Sequence, residues 1–368
     1  MRIFHVSDTH IGYSAFARID PDTGINQREA DFYASFERFV EIALKEQPNL
    51  VIHSGDLFDT VRPSNRAISF ALRQIKKLSD AGIPFIAISG NHETPRLRET
   101  GSVFRILEHL PNCSFVYENG FEKIVMDGVE IICHPHSSED EFREGMAEAS
   151  KIEKEHPRVV ILHVGIVGLG VFRTDEINEL ILKPSDMDPR ADYIALGHYH
   201  KFTEISKNTA YAGSTERLSI SEADSEKGFI DLELDSGKKR FVMLPTRPMI
   251  DIPALKVDGE DASTVRDRIS EELDRREIDD AIVRMVIRGI SREAHRSLDL
   301  NRIRKSAQKA LNFELRIERD EKEQVIKGAT SQIGSLEEEF RRYLEQRCPE
   351  PEERKKLHSI AMDFFEEK

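Results

Sequence analysis

Two histidines stand two residues apart at the end of an apolar run, in the segment LGHYH over 196–200. In an extended chain His198 and His200 would emerge on the same side, because side chains alternate along a strand. Imidazole nitrogens are common metal ligands, so the pair could form half of a metal site. Ordinary surface histidines would explain the same spacing, and the choice between the two depends on the rest of the chain.

Four other apolar runs end in residues of similar chemistry, in chain order Asp8 and His10, Asp56, Asn91 and His92, and His163. In layered α/β folds the carboxyl ends of parallel strands share one edge, so residues far apart in sequence meet there. If these were only packed core residues, each strand ending would need a separate explanation. We therefore expect a single site.

This set offers oxygen and nitrogen donors without a thiolate, which suits divalent ions such as Mn, Fe, Zn or Co. Two ions about 3.5–4 Å apart need a shared anionic ligand, and Asp56, directly after Gly55, is the natural candidate. Glycines at 55, 90 and 197 would let the backbone turn sharply into the site. Such a pair of ions activates water for displacement at phosphorus. The pattern therefore predicts a binuclear phosphoesterase site.

Strands and helices must bring these side chains together. The strand candidates lie at 2–7, 50–55, 84–90, 129–134, 159–164 and 192–197. Helical patterns lie between them, near 28–46, 64–80, 102–110 and 139–155. Residues 209–245 add further strands, including a hairpin at DSGKK. This order predicts an α/β fold with a layered two-sheet β-sandwich flanked by helices.

The composition changes after prolines punctuate residues 245–253. A helix, a strand, a second helix and a second strand then predict a small α/β accessory domain, followed by a polar linker and two helical patterns. The expected boundaries are a metallophosphoesterase domain over 1–250, the accessory domain over 251–319, the linker over 320–334 and a helical partner-binding segment over 335–368.

Composition restricts the class of protein. The chain has 368 residues, of which 33% are charged and 39% hydrophobic, and no stretch approaches the roughly 20 apolar residues of a membrane span. The three cysteines are scattered and form no CxxC pair. We expect an intracellular protein, cytoplasmic or associated with the nucleoid, without a membrane partner.

The net charge of −14 argues against a general nucleic-acid coat. Residues 284–309 nevertheless carry eight Lys or Arg against two Asp or Glu. This stretch is either a solvated helix face or a surface that follows phosphates, in which case Arg302, Arg304 and Lys305 are candidates for DNA binding.

The ordered blocks DTH, GDLFD, GNHE, a later histidine and GHYH resemble the calcineurin-like metallophosphoesterase superfamily. Within it, SDTHIG, GDLFD followed by RPS, and YAGSTERLS are most similar to the meiotic recombination eleven (SbcD-like) nucleases of DNA double-strand-break repair. The resemblance is sharp over 1–220 and diffuse after 250. It implies a manganese-dependent 3'-5' double-strand exonuclease and single-strand endonuclease that processes DNA ends as a homodimer with a Rad-fifty type ATPase.

The resemblance also implies roles for individual residues. One ion would be held by Asp8, His10, Asp56 and His200. The other would be held by Asp56, Asn91, His163 and His198. His92 would be the catalytic acid or a phosphate contact. Asp59 departs from the pattern, since many members have a histidine there, and a carboxylate would repel phosphate.

The two C-terminal patterns carry apolar stripes at helical spacing, formed by Leu336, Phe340, Tyr343 and Leu344 and by Leu357, Ile360, Phe364 and Phe365. Helices this short are not stable alone. They pack either on the accessory domain or, as the resemblance implies, on the coiled coil of the Rad-fifty type ATPase.

Two other functions stay open. One is a phosphatase or phosphodiesterase of the same superfamily that acts on another substrate. The other is a subunit that binds and tethers DNA ends with an attenuated nuclease site, for which Asp59 is the reason. Three further histidine positions do not belong to these blocks. We expect His5 and His53 to be packed residues within strands, and HPH over 134–136 to form a structural or surface loop.

Overall fold

The structure is a computed structural model that describes residues 1–95, 101–118, 120–167 and 180–318. It also describes six helical residues near the C-terminus, namely Phe340, Tyr343, Leu344, Leu357, His358 and Ala361.

The chain divides into two compact units between Glu318 and Arg319. The second unit contains the predicted linker and the two predicted C-terminal helices. Four of the predicted partner-binding residues lie outside the described residues: Leu336, Ile360, Phe364 and Phe365. The partner surface of this unit therefore stays a prediction.

The strands of the first unit are β1 (Arg2–Val6), β2 (Leu50–His53), β3 (Phe85–Ile88), β4 (Cys113–Val116), β5 (Glu122–Met126), β6 (Val129–His134), β7 (Arg158–His163), β8 (Gly165–Ile166), β9 (Ile181–Leu182), β10 (Tyr193–Gly197), β11 (Thr203–Ser206), β12 (Thr209–Tyr211), β13 (Gly228–Glu233), β14 (Lys238–Met243), β15 (Met249–Lys256), β16 (Ile282–Arg288) and β17 (Asn312–Glu318). Its helices are α1 (Gln27–Glu46), α2 (Asn65–Asp80), α3 (Phe104–Leu107), α4 (Glu139–Ser150), α5 (Ala262–Asp274), α6 (Arg292–Ser297) and α7 (Leu300–Ser306).

The first six-stranded sheet has the strand order β14-β13-β1-β2-β3-β4. Strands β1 to β4 pair in parallel, whereas β13 pairs antiparallel with β1 and β14 pairs antiparallel with β13. Because β1, β2 and β3 run side by side in the same direction, the loops that follow them leave from one edge of the sheet.

The second six-stranded sheet has the order β11-β12-β10-β7-β6-β5. Its central strands β12, β10, β7 and β6 are parallel, and β11 and β5 close it as antiparallel edges. The carboxyl ends of β7 and β10 therefore also share an edge.

The two sheets pack face to face. Ile52 and Ile86 from the first sheet join Ile161 and Ala195 from the second in one buried cluster. Helices α1 and α2 cover the outer face of the first sheet, and α4 covers the second. Burial on both faces explains why the central strands have continuous apolar sequences. The predicted two-sheet sandwich flanked by helices is confirmed.

A third sheet, of order β15-β16-β17, is entirely parallel. Helices α5, α6 and α7 cover one face of it, where Val265 and Ile303 pack near Val283 and Met285. The first of these strands was not predicted, because its prolines indicated a junction. Pro253 is exposed, beside a register shift after Ile252, where proline is tolerated.

Other differences from the sequence prediction concern edges and ends. Helix α3 covers only the middle of the predicted 102–110 helix, and α4 ends five residues before the predicted 155. Strands β4 and β5 were missed because both are edge strands, where no long apolar run is needed. Within the described part of the chain, no helix has the length and apolar character needed to cross a bilayer.

Candidate metal centre

The predicted ligands stand where strands of both sheets end. The first sheet contributes Asp8 and His10 after β1, Asp56 after β2, and Asn91 and His92 after β3. The second contributes His163 at the end of β7, and His198 and His200 after β10. Direct contacts connect all eight residues, so the single site expected from the sequence is present as a cluster.

One half of the cluster is built around Asn91. Its Oδ1 lies 2.9 Å from His163 Nε2 and 3.2 Å from His198 Nδ1. The same His163 Nε2 lies 3.2 Å from Asp56 Oδ2. A carboxylate oxygen, an amide oxygen and two imidazole nitrogens therefore face one small space.

The other half is formed by Asp8, His10 and His200, whose ligand atoms all lie within 4.8 Å of one another. Nε2 of His10 and Nε2 of His200 are 3.2 Å apart. Asp56 Oδ2 is 3.9 Å from His10 Nε2, so this carboxylate lies between the two halves. Its position fits the role of a shared ligand.

The electrostatics of the cluster favour cations. Asp8, His10, Asp56 and His163 are all at most 1% exposed. Burial opposes ionisation of Asp56, yet the His163 ring holds the pKa of that carboxyl well below its usual range. Burial would lower the pKa of His163, but Asp56 outweighs it and raises that pKa to about 9. A divalent ion would supply this positive charge in place of the ring proton.

Four of these residues have left-handed backbone conformations that are unusual for side chains with a Cβ atom. The φ angles are 50° at Asp8, 42° at His10, 56° at Asp56 and 99° at His198. Each such residue costs on the order of 1–3 kcal/mol and persists only where the surroundings enforce it. Such strain concentrates at functional sites, and here it turns side chains of both sheets inward.

Glycine is needed beside the ligands for two different reasons. Gly55 has a φ of 99°, which agrees with the sharp turn predicted there. At Gly90 the need is for space, because a Cβ atom would collide with the backbone and side chain of Asp56. At Gly197 a Cβ atom would collide with the carbonyl of Ser54.

Two of the histidines are oriented by partners behind them. His163 Nδ1 donates to the Ser54 carbonyl at 2.8 Å, and His200 Nδ1 donates to Glu222 Oε1 at 3.1 Å. Burial opposes ionisation of Glu222, but His200 and Lys227 hold the pKa of its carboxyl at about 2. Metal-binding histidines almost always bond to such a partner through the second ring nitrogen. Both rings therefore present Nε2 to the site.

Glu93 supports the loop behind Asp56, and sequence reasoning gave it no role although it ends the GNHE block. Its carboxyl group accepts hydrogen bonds from the amides of Leu57 at 3.2 Å and Phe58 at 3.0 Å. Burial and the negative charge of Asp56 raise the pKa of Glu93 to about 8. Glu222 was also missed, because no motif marks it in the sequence.

His92 lies beside the ligands. Its amide donates to Asp56 Oδ1 at 3.0 Å and its Nδ1 donates to the Asp59 carbonyl at 2.9 Å. Its ring meets the His10 ring edge-on, with 4.7 Å between the centroids. The Asp59 carboxylate is also at the site, 3.3 Å from His10 Nδ1.

The basic stretch 284–309 is divided between two faces of the third sheet. Arg284 and Arg288 lie on the open face and pair with Asp251 and Glu318. The predicted DNA-binding residues Arg302, Arg304 and Lys305 belong to α7, on the opposite, helical face, and are exposed. They are not among the residues that form the metal cluster.

The other histidines considered in the sequence have structural roles. His5 bonds to Tyr193 and Ser54, and His53 bonds to Thr9. Burial lowers the pKa of both His5 and His53 to about 3. In HPH over 134–136, both histidines are buried, so the structural interpretation holds and the surface one is wrong.

The part of the chain that carries these donors matches the model of a known family. The calcineurin-like phosphoesterase model matches residues 1–202 of the chain. The chain belongs to the calcineurin-like phosphoesterase family. The superfamily resemblance noted in the sequence is therefore confirmed, and the oxygen and nitrogen donors fit a binuclear site for divalent metal ions.

Similar curated proteins carry the name DNA double-strand break repair protein Mre11. The one from Sulfolobus acidocaldarius is 32% identical over 201 residues, which are 54% of this chain and 50% of that protein. The one from Thermoplasma acidophilum is 27% identical over 360 residues, 92% of this chain and 89% of that protein. The first match therefore spans only half of the Sulfolobus protein, whereas the second spans most of the Thermoplasma protein.

Proposed function

We propose that this phosphoesterase is a manganese-dependent nuclease that processes DNA ends in double-strand-break repair. It would act as a 3'-5' exonuclease on duplex DNA and as an endonuclease on single strands. The observation that carries the proposal is the pair of donor sets that share Asp56, in a chain similar to proteins named Mre11. A role in DNA repair would place the protein inside the cell.

Bound divalent ions would supply an activated water and stabilise the oxygens around the scissile phosphorus. The chain's own residues hold and orient what those ions need. Asp56 contributes the shared anionic oxygen, and Asp8 is fixed by the amide of His198, which donates to Asp8 Oδ1 at 3.0 Å. His92, whose amide donates to Asp56 and whose Nδ1 donates to the Asp59 carbonyl, would give a proton to the leaving oxygen or bond to the phosphate.

Manganese is the proposed metal because the donor set is mixed. Carboxylate and amide oxygens suit Mg, Ca and Mn, whereas imidazoles suit Zn, Fe and other transition metals. Asp8, Asp56 and Asn91 provide the oxygens, and four histidines provide the nitrogens. Manganese accepts both kinds of ligand in a single site.

The helical face of the third sheet is the proposed DNA-binding surface. Among the described residues, no carboxylate pairs with the side chains of Arg292, Arg296, Arg302, Arg304 or Lys305, whereas the neighbouring Arg284 and Arg288 are paired. Unpaired, exposed cations in an acidic chain concentrate a positive field that attracts phosphates.

Partners follow from the same proposal. The C-terminal stripe, which includes Phe340 and Tyr343, would bind the coiled coil of a Rad-fifty type ATPase. Truncation after Gly334 should abolish association with that ATPase in size-exclusion chromatography and leave metal binding intact. Normal complex formation by the truncated chain would contradict this.

A homodimer through α2 and α3 is also proposed, since Ile106 on α3 is 48% exposed.

One observation favours a second candidate, a DNA-end binding subunit with attenuated cleavage. The Asp59 carboxylate lies at the site, beside His10, where it would repel the substrate phosphate. Replacing Asp59 with histidine should raise cleavage if this repulsion limits the rate. An unchanged rate would remove the reason for the second candidate.

A substrate comparison tests the proposed function. Hydrolysis of linear duplex DNA should exceed hydrolysis of a generic aryl phosphodiester at equal metal concentration, and the Asp56→Asn variant should lack both activities. Preference for the aryl substrate would indicate a phosphodiesterase of other specificity. Tight DNA binding with neither activity would indicate the tethering subunit.

A further inference from the structure

The two histidines that are fixed from behind differ in what fixes them. His163 is held by the backbone carbonyl of Ser54, which directly follows β2 in the core of the sandwich. His200 is held by the side chain of Glu222, which belongs to the loop between β12 and β13. The orientation of His200 therefore depends on a loop, whereas that of His163 depends on a central strand.

Glu222 is itself held from several sides. Its Oε2 accepts hydrogen bonds from Lys227 Nζ at 2.6 Å and from the amide of Leu218 at 3.2 Å. Lys227 is 2% exposed and also donates to the carbonyl of His200 at 2.7 Å. The carboxylate and the ammonium group thus bind His200 through its ring and its backbone together.

The loop that carries Glu222 rests on the third sheet. Ile220, the first residue of the turn Ile220–Glu222, and Ala223, which follows the turn, pack against Met249 at the start of β15, Ile282 at the start of β16, and Leu311 next to β17.

Arg217 ties the same loop to the segment that enters the third sheet. Its Nε donates to the Glu222 carbonyl at 3.2 Å, and its Nη2 donates to the Ser225 carbonyl at 3.0 Å. Its Nη1 donates to the Thr246 hydroxyl, three residues before β15. A shift of the third sheet would therefore move the backbone that carries Glu222.

We propose that Glu222 is the positioning residue for His200 in the metal centre, and that the third sheet holds Glu222 in place. The inference rests on the proposed binuclear metal centre and adds a residue and a sheet to its support. A carboxylate bonded to Nδ1–H fixes the tautomer that offers the Nε2 lone pair to a metal ion. The carboxylate also makes Nε2 a stronger electron donor to a metal ion.

Metal binding provides the test, because it is measured without turnover. Manganese should bind wild-type protein in two steps. Loss of an outer partner of a metal-binding histidine typically lowers metal affinity about 10–100-fold, so Glu222→Ala should weaken one step by that factor and leave the other unchanged. Glu222→Gln retains an acceptor oxygen and should recover part of the affinity. Glu226→Gln, an exposed acid in the same loop, is the matched control and should change nothing.

A second variant tests the role of the sheet. Ile220→Ala with Leu311→Ala removes apolar contact between the loop and the third sheet and leaves Glu222 in the sequence. It should weaken the same binding step by a smaller factor, with the thermal transition monitored to verify folding. An unchanged affinity would overturn the role of the third sheet.

The outcomes separate this inference from the proposed function. Two-step binding by the wild type with the same affinities in Glu222→Ala would overturn the positioning role and leave the metal centre standing. Equal weakening of both steps would also overturn it, because that indicates a general loss of structure. Binding of fewer than two ions by the wild type would overturn the binuclear centre itself.

Discussion

The two halves of the cluster of proposed metal ligands are built differently. The half with Asn91 and His163 lies where strands of the two large sheets end, and His163 is oriented by the backbone that follows a central strand. The half with His10 and His200 depends on Glu222, whose loop packs on the third sheet, formed by strands β15 to β17. The first half needs only the family core. The second also needs residues beyond the 1–202 range that the family model matches.

The largest effect is expected at the residue that the two halves share. Asp56→Asn should lose at least one metal ion and cleavage activity, because a neutral amide cannot hold two dications against their repulsion. Elemental analysis of bound manganese and cleavage of linear duplex would measure this. If the variant retains two full equivalents, Asp56 does not join the halves.

A smaller effect is expected at His92, which is proposed to act without binding a metal ion. His92→Gln should lower cleavage by about 10²–10⁴-fold, the usual contribution of proton transfer to a leaving group. Metal content and DNA affinity should persist, as measured by elemental analysis and a binding titration. Loss of a metal ion would place His92 among the ligands instead.

The half with Asn91 and His163 should be sensitive to one added methyl group. Gly90→Ala places a Cβ atom against Asp56, and displacement of a catalytic group by about 1 Å can cost on the order of 10²-fold in rate. Gly82→Ala is the control, since its Cβ would meet open space. It should reduce stability, because its φ is 75°, but not the cleavage rate of the folded protein. Full activity in Gly90→Ala would show that this half adapts to the change.

The smallest effect concerns the third sheet, which would bind DNA through its helical face in addition to holding the Glu222 loop. Reversing the charges of Arg302, Arg304 and Lys305 should weaken DNA binding and flatten its dependence on salt. Each lost phosphate contact reduces the log–log slope by about 0.9 for duplex DNA. Charge reversal of the paired Arg284 is the comparison and should change the slope less. An unchanged slope in the triple variant would assign α7 to a solvated face.

The ligands of both halves were predictable from sequence. They follow continuous apolar runs, which strands buried on both faces require, and parallel pairing brings such ends together. The helical pattern predicted over 64–80 begins at Ser64, whose side chain accepts a hydrogen bond from the amide of Ala67 at 3.1 Å. Local patterns were sufficient where local structure and burial agree.

The supporting residues were less predictable. Glu222 reaches His200 across 22 residues of chain, in a loop whose course depends on the third sheet. A lone glutamate has no spacing that distinguishes it from the other acids of this acidic chain. Strand β15 was missed for a related reason, since its proline is accommodated by a shift of register that only the neighbouring strand creates. Long-range packing decides such positions.

The most direct test of the shared centre is a manganese titration of the wild-type protein followed by electron paramagnetic resonance. Ions about 3.5–4 Å apart that share a carboxylate should be magnetically coupled. We expect two bound equivalents with the spectrum of a coupled pair, and loss of the coupled spectrum in Asp56→Asn. One equivalent, or two ions with the spectra of isolated manganese, would contradict a binuclear site bridged by Asp56.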